Sequence, residues 1–139
     1  PPLVAEMGYH VTWPAARDRL TAPVASAAGG FIVTPMADHL RAAGTVEFAL
    51  GEAEPDWRRA ELLARRAARL FAGELPAPAT RWRGSRPTLP DFLPAIGPLP
   101  GAPRVVAAFG HQHIGLTTAA ITGALIRDLV LGVPPMVNC

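Results

Sequence analysis

Two stretches of this chain hold residue types that could do chemistry. The first is Gly110-His111-Gln112-His113-Ile114-Gly115-Leu116-Thr117, which joins an apolar extended run to a helical one. Its small residues would let backbone approach a ligand closely. The helix that follows would present unpaired N–H groups and a positive dipole end, a natural place for a carbonyl oxygen or a developing anion. His111 and His113 are spaced one apart, so in an extended segment both would point to one side and could ligate a metal. No third ligand lies near in sequence, and no lysine follows the second glycine as a phosphate loop would require. The second stretch is Trp82-Arg83-Gly84-Ser85-Arg86-Pro87-Thr88-Leu89-Pro90-Asp91. An arginine held before a proline, on an extended piece ending in a rigid turn, can act as a fixed receptor for an anion. Guanidinium grips a carboxylate through two parallel hydrogen bonds, which gives orientation as well as affinity. The plain alternative is that Arg86 pairs with a local acid such as Asp91 or Glu47. Tyr9 and His10 could line a pocket or simply pack within a strand. No Ser-His-Asp or Cys-His arrangement can be argued from the spacing.

The elements that must position these residues can be read from periodicity. Gly8 to Trp13 alternates as a strand does and stops at Pro14. Further strands are predicted near 23–27, at 31–34 after a Gly29-Gly30 turn, and at 40–49, giving short antiparallel strands over about 8–49. A helix is predicted over about 55–72. Pro55 suits its first turn, Glu54 and Asp56 its positive end and Gly73 its stop, while Ala60, Leu63, Ala64, Ala67, Leu70 and Phe71 form an apolar stripe. Residues 73–103 read as a proline-rich connection with one short extended piece at 80–85. A buried-looking strand at 105–109 then leads into a helix from about Ile114 to Leu131. That helix is apolar around its girth and wants neighbours on several sides. The fold class is therefore α+β: antiparallel strands with one long helix, then a closing strand-helix unit.

Bulk properties set the limits. The chain has 139 residues, of which 50% are hydrophobic and 17% charged, so it is expected to be globular. Its net charge is +2, and the arginines at 58, 59, 65, 66 and 69 have no interleaved aromatics; they read as a solvated helix side, not a nucleic-acid face. The single cysteine, Cys139, excludes a disulfide framework and a cysteine metal site, and it fits a reducing, cytoplasmic compartment. Arg127 and Asp128 interrupt the longest apolar run, so no membrane span is expected. The chain begins at Pro1, not methionine, and is expected to be a piece of something longer.

Several motifs taken together resemble a known family. Gly8-Tyr9-His10, Thr34-Pro35-Met36 and Leu40 to Phe48 are similar to the substrate domain of D-amino-acid dehydrogenase-like flavoproteins. Trp82 to Pro87, Pro90-Asp91 and Pro94-Ala95-Ile96-Gly97-Pro98 resemble that family's tryptophan, Arg-Pro, Pro-Asp and Pro-x-Ile-Gly series. Ala108 to His111, Gly115-Leu116-Thr117, Thr122-Gly123 and Asp128-Leu129 resemble its closing strand and helix. Order and spacing agree from about residue 6 to 135.

The resemblance implies an FAD-dependent oxidoreductase of the D-amino-acid oxidase and glycine oxidase superfamily. Such an enzyme oxidises a D-amino acid or similar small amine by hydride transfer to flavin N5. It implies that Arg86 binds the substrate carboxylate; Tyr9 and His10 are the further substrate-binding candidates. It also implies that Gly110, His111, Gly115, Leu116 and Thr117 lie near the pyrimidine end of the flavin ring, and His113 is added to them as a candidate. Residues 1–103 would then be a substrate-domain portion, and 104–139 the C-terminal strand-helix of a Rossmann-like FAD-binding domain. The Gly-x-Gly-x-x-Gly unit that grips the FAD pyrophosphate is absent, and a missing N-terminal part of the parent protein should supply it. The chain by itself is expected to be inactive, to bind FAD weakly and to self-associate; its parent could sit peripherally at the inner membrane. The alternative is a small-carboxylate binding module without catalysis.

Overall fold

Alternation along the first strand sets the architecture. In the computed structural model, which describes residues 2–48 and 53–137, β1 runs Val4–Trp13, and Met7, Tyr9, Val11 and Trp13 all point into one core. After a short 3-10 turn at Pro14–Arg19 come β2 (Val24–Ser26), β3 (Phe31–Pro35) and β4 (Leu40–Phe48). With β5 (Thr80–Thr88) they form a five-stranded sheet in the order β2-β3-β4-β1-β5. β4 is antiparallel to both β1 and β3, which places Val11 opposite Ala42 and Ala42 opposite Val33. Those three residues are almost fully buried, and the stripe they make is where the helix docks.

That helix, α1 (Arg58–Ala68), sets Ala60, Leu63 and Ala67 against the sheet at helical spacing. It is shorter than the predicted 55–72. Its start is displaced because the Asp56 carboxylate accepts the Arg58 N–H at 3.2 Å and holds the preceding residues outside the helix. Its end tightens into i→i+3 bonds, with Leu70 N–H to Ala67 O and Phe71 N–H to Ala68 O. The helix arginines are engaged locally: Arg58 with Asp56, Arg59 with Glu47 and the Val46 carbonyl, Arg66 with the Gly29 carbonyl.

The remaining strands pair as a ribbon, β6 (Ala95–Leu99) antiparallel to β7 (Ala102–Phe109), followed by a 3-10 turn at Gln112–Ile114 and α2 (Gly115–Leu131). The chain divides into two compact units, residues 5–86 and residues 87–139 with the first four. This differs from the change at 103/104 drawn from sequence, because β6 is the hairpin partner of β7 and belongs with it. Nor is 73–103 mainly a connection, since it contains all of β5 and β6. The prolines conceal them: Pro87 lies in β5, the edge strand of the five-stranded sheet, and Pro98 in β6 of the two-stranded ribbon, and both strands have a free edge where a missing N–H is tolerated.

The apolar run of α2 is longer than the sequence reading allowed. The 20-residue helical stretch Gln112–Leu131 is long and apolar enough to cross a membrane by length and composition only, a test that the core helix of a soluble protein also passes. Arg127 and Asp128 fail to break it because they sit near its C-terminal end and pair with each other at 2.6 Å. Of α2 itself only Leu125 and Asp128 are buried. Leu116, Val130 and Leu131 are largely exposed.

The first unit depends on the α1–sheet contact. Leu63→Ala is expected to cost about 2–5 kcal/mol of stability, the range for emptying a fully buried leucine site, as measured by denaturant unfolding.

Candidate functional site

Because β1 alternates, Gly8, His10 and Thr12 lie on the sheet face away from α1. Contacts with β5 run along that same face. Thr12 Oγ1 is 2.7 Å from Thr80 Oγ1, and the His10 ring stacks on the Trp82 indole with centroids 4.7 Å apart and planes 14° from parallel. The Arg86 guanidinium lies over Gly8. A Cβ at residue 8 would stand 2.7 Å from Nη2 and 2.9 Å from Cζ, closer than real carbon contacts allow. Gly8 is therefore a seat for a guanidinium, and any side chain there must displace it. The Trp82 ring lies over Gly84 in a comparable way.

Arg86 Nη1 is buried and has no hydrogen-bond partner among the described residues. The two acids that sequence offered as local partners are engaged elsewhere. Glu47 accepts the Tyr9 hydroxyl at 2.5 Å and lies 3.7 Å from Arg59, while the Asp91 carboxylate accepts the Leu93 N–H at 3.1 Å. A buried guanidinium nitrogen without a hydrogen-bond partner among the described residues is a feature an anion receptor would use.

Tyr9 and His10, paired in the sequence prediction, are parted by the sheet. Tyr9 is 2% exposed on the α1 side, where its hydroxyl also accepts the Asp56 N–H at 3.1 Å. Burial first, then the Glu47 hydrogen bond, pushes its pKa up, so it remains a neutral donor. It supports the sheet from behind and is not brought to Arg86. His10 is on the Arg86 face, and its pKa is lowered by burial first, then by the charges of Arg41 and His39.

Arg41 was assigned no role from sequence. It pairs in register with Thr12, on the same face, and its Nε is buried without a hydrogen-bond partner among the described residues. Its signal was available in the pattern, since Leu40 and Ala42 are core residues and Arg41 falls between them. Next to this region β4 bulges opposite Gly8 and Tyr9. Thr45 there has φ of 58°, an uncommon conformation for a β-branched residue.

The other predicted stretch lies in the second unit and is organised around the start of α2. Gly110 has φ of +82°, and a Cβ there would lie 3.2 Å from Leu89 Cγ, so backbone conformation and packing both call for glycine. His111 Nε2 is 3.0 Å from Thr122 Oγ1, which ties the turn to the helix, and His111 lines a groove of about 440 Å3 with Pro94, Ile96, Thr118 and Ile121. The segment is a 3-10 turn, so the extended geometry that would have set His111 and His113 side by side for a metal does not occur. Among the described residues no three metal-ligating side chains converge. No side chain caps the helix start. His113, Leu116 and Thr117 are exposed there, Leu116 at 95%. The first N–H groups of α2 thus lack side-chain partners, which suits an electron-rich group.

This fold and these motifs fall in one class: the family described as FAD dependent oxidoreductase matches residues 1–129, and the chain belongs to it. A D-amino-acid oxidase from Bradyrhizobium diazoefficiens is 40% identical across 96% of this chain and 33% of its own length. A D-amino acid dehydrogenase from Paramagnetospirillum magneticum is 32% identical across 99% of the chain and 33% of its own length. The fold is similar to that of glycine oxidase from Geobacillus kaustophilus, with a TM-score of 0.81 at 24% identity over 96% of this chain and 36% of that one. The chain spans about a third of the length of the curated relatives it matches.

Two outcomes follow from the geometry. Gly8→Val is expected to displace the Arg86 guanidinium while changing stability by roughly 1 kcal/mol or less in denaturant unfolding, because what must move is the end of a flexible side chain. His10 is charged less readily in the folded protein than at its ordinary 6.5, so acid protonates the unfolded chain first. Stability should therefore fall as pH drops below about 6.5, and His10→Gln should flatten that fall in melting temperature measured against pH.

Proposed function

We propose that this chain is the C-terminal, substrate-side portion of an enzyme that oxidises a D-amino acid or similar small amine using FAD. The observation that carries the reading is the Arg86 guanidinium, seated over Gly8 with a buried, unpartnered edge. Arg86 binds the substrate carboxylate through paired hydrogen bonds and fixes the direction of the Cα–H bond, which is catalysis by orientation. The neutral His10 ring, backed by Trp82, gives the substrate a flat wall without adding a charge that would compete for the carboxylate.

FAD, when bound, supplies the hydride acceptor at N5 as the amine becomes an imine. The residues that suit its ring end are Gly110, His111, His113, Gly115, Leu116 and Thr117. At Gly115 an added Cβ would meet only His111 Cβ, at 3.4 Å, so packing does not demand a glycine there and close backbone approach remains open. The uncapped start of α2 offers N–H groups and positive potential for the negative charge that accompanies reduction. The phosphate grip belongs to the rest of the parent protein, and that same part covers the exposed apolar side of α2. In its absence that side would drive self-association.

The test uses the full-length parent. It should purify yellow and bleach anaerobically on adding a D-amino acid. Arg86→Ala should lower kcat/KM by roughly two to three orders of magnitude, with partial rescue by added guanidinium. A full-length protein that binds small carboxylates but never retains flavin would overturn the reading in favour of a binding module.

A further inference from the structure

Building on the proposed role of Arg86, we infer that the same sheet face holds a second carboxylate subsite at Arg41, and that the substrate is a small amine carrying two carboxylates. Arg86 of β5, over Gly8, and Arg41 of β4, opposite Thr12, stand on one face of the sheet on the two strands that flank β1, with His10 of β1 between them. Each keeps a buried guanidinium nitrogen without a hydrogen-bond partner among the described residues: Nη1 of Arg86 and Nε of Arg41. Two such groups on one face are costly when empty and are both satisfied by a diacid. A monocarboxylate would leave one of them unanswered.

Gly8 and Thr12 are four residues apart, about 13 Å of strand, and β4 and β5 lie on either side of β1, so a short diacid is held by two long side chains that both reach inward over β1. Two acids near this face are engaged elsewhere: Glu47 is held on the α1 side by Tyr9 and Arg59, and Asp38 lies 2.6 Å from His39 Nδ1. His10 between the two arginines is an uncharged spacer, and its stack on Trp82 fixes the distance it keeps. Arg41 is thus a specificity-determining residue. It grips the side-chain carboxylate and leaves orientation of the reacting carbon to Arg86.

The experiment compares kcat/KM of the full-length holoenzyme for D-aspartate against D-asparagine and for D-glutamate against D-glutamine. At least one acid should exceed its amide by on the order of 10- to 100-fold, the worth of a charged hydrogen bond. Arg41→Met should collapse that ratio, mainly through KM, and Arg41→Lys should restore part of it. Equal use of acids and amides by the parent overturns the inference, as does an Arg41→Met enzyme that keeps the ratio. Turnover of D-alanine that depends on Arg86 would leave the proposed function standing in either case. Absence of flavin reduction by any amine would remove both.

Discussion

The placement of one guanidinium over one glycine organises the first unit. Arg86 can lie across Gly8 only because residue 8 has no side chain and because β5 is the neighbour of β1. Leaving Nη1 buried without a partner costs about 1–3 kcal/mol, so the fold must recover that elsewhere. It does so through the opposite side of the sheet, where Met7, Val11, Trp13, Leu40 and Leu63 exclude water almost completely. The division of labour follows from the pleat. Odd-numbered residues of β1 make the core and even-numbered ones make the site.

This arrangement explains why Tyr9 is important to the site without facing it. Its hydroxyl joins Glu47 of β4 to the Asp56 N–H just before α1, so strand and helix start are held together behind Gly8 and His10. The same bond occupies Glu47, an acid that sequence alone could have given to Arg86. The bulge at Thr45 opposite Gly8 and Tyr9 is consistent with backbone strain retained where function needs an irregular strand.

The second unit tells a complementary story. α2 packs on the β6–β7 ribbon through little of its surface and leaves Leu116, Val130 and Leu131 exposed. A helix this apolar is stable in water only when something covers it. The chain spans about a third of the length of the curated relatives it matches. The helix start beside Gly110 has no side-chain cap, and N–H groups left without side-chain partners are available to a ligand.

The sequence by itself determined the strand periodicity of β1, β3 and β4, the existence of α1 and α2, and the family, because alternation, helical stripes and clustered motifs are local signals. It also singled out Arg86 and the Gly110–Thr117 segment. It did not reveal β6, because Gly97 and Pro98 mimic a loop and only pairing with β7 makes that segment a strand. It could not separate Tyr9 from His10, since which side of a strand is buried depends on where α1 docks. Nor could it say whether Glu47 would pair with Arg86. Glu47 is instead claimed by Tyr9, 38 residues away in the chain, and such a long-range contact exists only once the sheet has formed.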